Sequence, residues 1–117
     1  MTRAEPVLLE YATMNMPDRN WRTADFDALC RALLSLETVD EMALFLRDLC
    51  TRTEIEGLSS RWVVATLLEA GLPYRQVSEQ TGASITTVGR VNEWRRFGTG
   101  GYRIALDRLD RSGQDAR

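Results

Sequence analysis

From about residue 24 to residue 109, apolar residues recur three and four apart, and no segment alternates convincingly with period two. That pattern predicts an all-α chain of about six helices. A first helix over 24–36 places Phe26, Leu29, Cys30, Leu33 and Leu34 on one face. A second, over 39–50, opens at Thr38, with Glu41 three residues on to complete a capping box. A short turn of helix over 53–57 precedes a longer helix over 59–70 that carries Trp62, Val63, Val64, Leu67 and Leu68. Gly71 stops that helix, and Pro73 suits the first turn of the next, over 73–81. Ser84 caps a helix reaching about residue 96, and Gly98, Gly100 and Gly101 separate it from a last one over 102–109. Residues 1–20 hold Pro6, Pro17 and scattered apolar side chains without a period, and predict a flexible arm. The polar stretch 111–117 predicts a disordered tail, which leaves 21–110 as the folded domain.

The helix over 39–50 is apolar nearly all round, with Val39, Met42, Ala43, Leu44, Phe45, Leu46 and Leu49, and that over 59–70 is apolar on a broad front. Such helices need cover on several sides. A chain of 117 residues offers one core and little else to provide it, so the pattern predicts an obligate homodimer.

The stretch 71–96, GLPYRQVSEQTGASITTVGRVNEWRR, reads as a helix-turn-helix at 73–96. Counting Tyr74 as position one, Val77, Ser78, Gly82, Ala83, Val88 and Val91 fall at positions four, five, nine, ten, fifteen and eighteen. Gly82 can take the positive φ that ends one helix and re-aims the chain. Ser78 is small enough for a close crossing, and the three valines form the wedge between the helices. The second helix then presents Ile85, Thr86, Gly89, Arg90 and Glu93 outward, the face such a motif offers to a DNA major groove.

The formal charge of −2 argues against unspecific coating of nucleic acid. Between residues 58 and 103, however, six arginines stand against three glutamates, a local excess of +3. Every basic residue is Arg, the side chain suited to bidentate phosphate or guanine contact, although codon bias would leave the same mark. There is no His, so the commonest general base and metal ligand are missing, and the expectation is a non-enzyme without a cofactor. Cys30 and Cys50 lie on apolar faces without a CxxC spacing and read as reduced core residues. The glycine cluster lacks the Lys of a phosphate loop and follows a helix, so it reads as a turn that folds the last helix back. Trp21, Trp62 and Trp94 are scattered and read as core packing. No apolar run spans a bilayer and no leader precedes the domain, which predicts a cytoplasmic protein, at the nucleoid when bound to DNA.

For DNA binding the pattern nominates Ile85 and Thr86 at base edges, where methyl and hydroxyl groups meet thymine methyls and base acceptors. Arg75, Arg95, Arg96 and the amides near Gln76 and Ser84 are nominated for phosphates. Arg90 suits a base, a phosphate, a ligand or a solvated face. A dimer would set two such heads about one helical turn, ~34 Å, apart over a palindromic site in double-stranded DNA.

DLCT at 48–51, Glu54, Leu58 and Arg61, TGAS at 81–84 with Val88, Arg90, Val91 and Asn92, and GTGGY at 98–102 occur in order. In that order they resemble the Trp-repressor-like superfamily, specifically its YerC/YecD group of TrpR-related proteins, over about 24–109. The resemblance implies an intertwined all-helical homodimer whose N-terminal helices share one core, with two helix-turn-helix heads and a role as a DNA-binding transcriptional regulator. It also implies a space for a small-molecule effector contacted by Arg61 and Arg90 and lined by Thr87. Trp62 beside Arg61 and Gly89, where the family usually carries Ser or Thr, depart from the tryptophan-binding pattern. The alternative from a different class is a protein-interaction module whose helix-turn-helix docks a transcription or replication partner, which the negative total and Glu93 favour.

Overall fold

A computed structural model describes residues 21–116, with side chains to Arg111; the arm expected over 1–20 lies outside the described residues. Six helices and, among the described residues, no strand make up the fold: α1 (Ala24–Leu34), α2 (Val39–Leu49), α3 (Arg52–Glu69), α4 (Tyr74–Thr81), α5 (Ile85–Phe97) and α6 (Gly101–Ala116). Local chemistry explains most of the boundaries. Thr23 caps α1 by accepting from the Phe26 amide at 3.0 Å, and Thr38 caps α2 by accepting from the Glu41 amide at 3.0 Å. The Glu41 carboxylate does not close the expected box on Thr38. It reaches one residue further, to the Glu37 amide at 2.8 Å, and so orders the turn leading into α2.

Two expectations are corrected. The short helix over 53–57 and the longer one over 59–70 are a single helix, α3. Thr51 starts it with a full capping box, its hydroxyl accepting from the Glu54 amide at 3.1 Å and its own amide donating to the Glu54 carboxylate at 2.8 Å. Gly57 then sits in the helix interior at a cost of about 1 kcal/mol, too little to break a helix anchored so firmly at its start. At the other end, α6 runs to Ala116, past residue 109 where the last helix was expected to stop. Arg111, Gln114 and Ala116 favour helix while Ser112, Gly113 and Asp115 do not, so the extension rests on the nucleus that the packed turns before it supply.

The core belongs to one half of the chain. Val64, Ala65 and Leu68 of α3, Val77 of α4, and Val88 and Val91 of α5 are buried together. Leu67, Leu72, Ala83 and Tyr102 pack around them. Each fully buried valine contributes on the order of 1.5–3 kcal/mol relative to an exposed one. Glu69, at the last residue of α3, ties α5 and α6 to this helix. One of its carboxylate oxygens lies 2.6 Å from Arg95 of α5 and 2.6 Å from Arg103 of α6.

By contrast, α1 and α2 contain no buried residue. Leu34 is 84% exposed, Val39 85% and Leu44 71%. Cys30 and Cys50 are free thiols, half-buried where core positions were expected. Trp21 and Trp94, also expected in the core, are exposed, because nothing within one chain covers the faces that carry them.

Candidate nucleic-acid interface

The joint between α4 and α5 is built by short polar side chains around one glycine. Gly82 takes φ +77°, the left-handed conformation expected of it, and its amide donates to the Ser78 carbonyl at 2.9 Å. The Ser78 hydroxyl reaches forward to the Ala83 carbonyl at 2.6 Å. Thr81 bridges both sides, donating to the Val77 carbonyl at 2.8 Å and accepting from the Ala83 amide at 3.1 Å. Ser78 is therefore more than a small residue at a close crossing. It and Thr81 lock the angle between the two helices, a role that size alone did not reveal. The available signal was two hydroxyl residues in the last turn before a left-handed glycine.

Ser84 begins α5 by accepting from the Thr87 amide at 3.1 Å, and its hydroxyl also lies 3.0 Å from that of Thr87. With the helix start held this way, Ile85, 52% exposed, and Thr86 face solvent, while Val88 and Val91 on the next turns are fully buried. Burial behind and exposure in front fix how far the α5 start protrudes. Gly89 lies under the Tyr74 ring: a Cβ there would meet that ring at 3.8 Å, ordinary contact distance. Packing within the chain thus does not demand glycine at this position.

The start of α4 differs from the other helix starts. Thr23, Thr38, Thr51 and Ser84 cap α1, α2, α3 and α5, whereas Pro73 precedes α4 and supplies no side-chain cap. The first-turn amides of α4, among them those of Arg75 and Gln76, are left without a capping side chain, at the positive end of the helix dipole. Arg75 and Gln76 are exposed, and among the described residues neither Arg75 nor Arg90 forms an ion pair. Arg96 is exposed, its guanidinium 4.9 Å from the centre of the Phe97 ring.

Arg95 is not presented with the others. Its side chain is only 18% exposed, bonded to Glu69 at 2.6 Å and to the Asn92 side chain at 3.0 Å, so it braces α5 against α3. Glu69 was the signal for this, a carboxylate at the end of an apolar helix.

Of the residues nominated for an effector, Thr87 and Arg61 lie beside neighbours within their own chain. The Thr87 hydroxyl is engaged by Ser84. Arg61 lies back along its own helix, its guanidinium 3.7 Å from where a Cβ of Gly57 would stand, and it has no ion pair among the described residues. Trp62 stacks on Tyr102 of α6, with ring centres 6.3 Å apart and planes 4° from parallel. Burial raises the Tyr102 hydroxyl above its ordinary pKa of 10.0, and the positive charge of Arg61 partly opposes that rise. Arg61 thus finds its electrostatic neighbour in a phenol of the bundle. Among the described residues there is no group of His, Cys, Asp and Glu fit to hold a metal ion, and no helix is long and apolar enough to cross a membrane.

Comparison with known proteins agrees with this architecture. The family model described as Trp repressor protein matches residues 24–110. The YerC protein of Bacillus subtilis (strain 168), itself uncharacterized, is 39% identical over 88 residues, covering 75% of this chain and 85% of that protein. The crystal structure of a TrpR like protein from Eubacterium eligens superposes with a TM-score of 0.75 at 38% identity, covering 80% of this chain and 96% of that one.

Proposed function

Starting from a chain that belongs to the Trp repressor protein family, we propose that it is a DNA-binding transcriptional regulator, acting as a repressor, which reads a palindromic site as a homodimer. One observation carries the reading. The start of α5 exposes Ile85 and Thr86 on a helix whose next turns are anchored in the core, so the contact surface is held rigid against the bundle. Ile85 offers methyl groups to thymine and Thr86 a hydroxyl to base acceptors. The uncapped amides at the start of α4, with Arg75 and Gln76, and the α5 start at Ser84 take phosphates, assisted by Arg90 and Arg96. Arg95 supports the platform from behind through Glu69.

The dimer rests on the unburied faces of α1 and α2, which a second copy of the same chain would cover. Two α5 starts then stand about one helical turn, ~34 Å, apart, the spacing of half-sites in a palindrome. Gel shifts with duplexes from the protein's own genomic neighbourhood, at ~0.1 M salt, test the proposal, because phosphate contacts alone bind weakly there. At least one duplex should bind far better than random sequence; uniform weak binding to all of them contradicts the reading. Exposed Glu93, on α5 and free of ion pairs among the described residues, favours a second reading in which α5 docks a protein partner. A pull-down that retains its partner after nuclease treatment would select it.

A further inference from the structure

Tyr74 opens α4 but takes no part in the hydrogen bonds that lock α4 to α5. It is 40% exposed, yet its ring is backed, for the ring edge comes within 3.8 Å of where a Cβ of Gly89 would stand on α5. Gly89 lies one turn along from Ile85 and Thr86 on the same face of that helix. Both supports are fixed. Val77, one turn beyond Tyr74, and Val88, next to Gly89, are fully buried. Because α4 packs on α3 and α5, the ring belongs to the half of the chain that completes its own core. Its exposure is thus of a different kind from that of the uncovered faces of α1 and α2.

The ring is held, but its hydroxyl is not used. Among the described residues the Tyr74 hydroxyl makes no hydrogen bond, and the adjacent Arg75 makes no ion pair. An aromatic side chain with two rotatable bonds, already set against the α5 backbone, loses little freedom when its free end is engaged. The phenol offers one neutral O–H donor. In a helix-turn-helix the first helix crosses the sugar-phosphate backbone while the second enters the groove, and Tyr74 stands at the start of the first. Phosphate oxygens are the acceptors that such a helix meets.

We propose that Tyr74 is a further DNA contact, its hydroxyl donating to a phosphate oxygen of the duplex. The contact presupposes that α5 reads DNA. The test uses the full-length chain, a duplex that the wild type selects from a random-sequence pool, and a scrambled duplex of the same length. Tyr74→Phe keeps the ring against Gly89 and removes only the hydroxyl. It should bind both duplexes about tenfold more weakly, the scale of a hydrogen bond to a charged acceptor. Its melting temperature and the salt dependence of binding should match the wild type, because a neutral donor releases no counterion. In chains carrying 3-fluorotyrosine, the fluorine resonance of Tyr74, identified by its absence in Tyr74→Phe, should shift when the selected duplex is added. Equal affinity of Tyr74→Phe and wild type, or an unmoved Tyr74 resonance, would overturn the contact and leave the DNA reading intact. A loss confined to the selected duplex would assign the hydroxyl to a base edge, and a fallen melting temperature would assign it to the fold; either overturns the phosphate contact. A wild type that selects no duplex would overturn the DNA reading itself and this contact with it.

Discussion

The two halves of this chain solve the burial problem differently. From α3 to α5, six residues pack into a core that one chain completes by itself, and the joint between α4 and α5 is fixed by hydrogen bonds from Ser78 and Thr81. In α1 and α2, residues of the same apolar character remain open, with Leu34 and Val39 more than four-fifths exposed. The difference shows that hydrophobic content alone does not make a core. The first region is self-supporting, whereas the second leaves its apolar faces uncovered within one chain.

Charging each region in turn should break this comparison most visibly. Val88→Asp places an unpaired carboxylate at a fully buried position of the platform. It should remove on the order of 4–5 kcal/mol or more, a large share of the 5–15 kcal/mol available to a small domain, and abolish the helical signal in circular dichroism. Leu44→Asp should behave otherwise, because its side chain is already 71% exposed within one chain. Its cost falls on association: the sedimenting species should fall to one chain, with helical content lost only as far as α1 and α2 depend on their partner.

Thr86→Asp sharpens the comparison by separating surface from support. A carboxylate at that exposed site meets base acceptors and the negative potential of the duplex, and should weaken specific DNA binding by about 3 kcal/mol, roughly a hundredfold, in gel shifts. The melting temperature should stay put, since Thr86 makes no side-chain hydrogen bond within the described fold. Gly82→Ala strains the joint without a clash, for nothing lies within 4 Å of the added Cβ and only the φ of +77° resists it. A loss of about 1–2 kcal/mol in denaturant unfolding is expected.

The smallest effect concerns Tyr102, whose pKa burial has raised. A raised pKa means that the folded state favours the neutral phenol. That contribution is complete below pH 10, the unfolded value, and is lost as pH rises through the folded value. Thermal melts across pH 9 to 11 should show a loss in the wild type that Tyr102→Phe reduces.

What could be read from the sequence follows the same divide. Signals confined to one turn of backbone were legible: Thr38 and Ser84 as caps, Gly82 as the left-handed turn, and the three valines of the wedge all stand where their spacing placed them. Features that depend on residues far apart in sequence were not. Arg95 resembles any exposed helix-end arginine until Glu69, twenty-six residues earlier, is brought to 2.6 Å. Trp62 and Trp94 look scattered until α6 folds back and Tyr102 stacks on the first of them. The continuity of α3 is hidden in sequence because Gly57 interrupts the apolar pattern, while the capping box at Thr51 holds the helix through it. The candidate contact surface was legible at Ile85 and Thr86 because exposure of the α5 start follows from the helical period once Val88 and Val91 are assigned inward.

The division into a complete platform and an incomplete interior has one direct test, the mass of the folded protein in solution. One chain is 13.3 kDa. Sedimentation equilibrium down to micromolar concentration should give twice that mass wherever the full helical signal persists, with dissociation accompanied by loss of the share that α1 and α2 contribute. A folded species at 13.3 kDa with full helical signal would contradict the account.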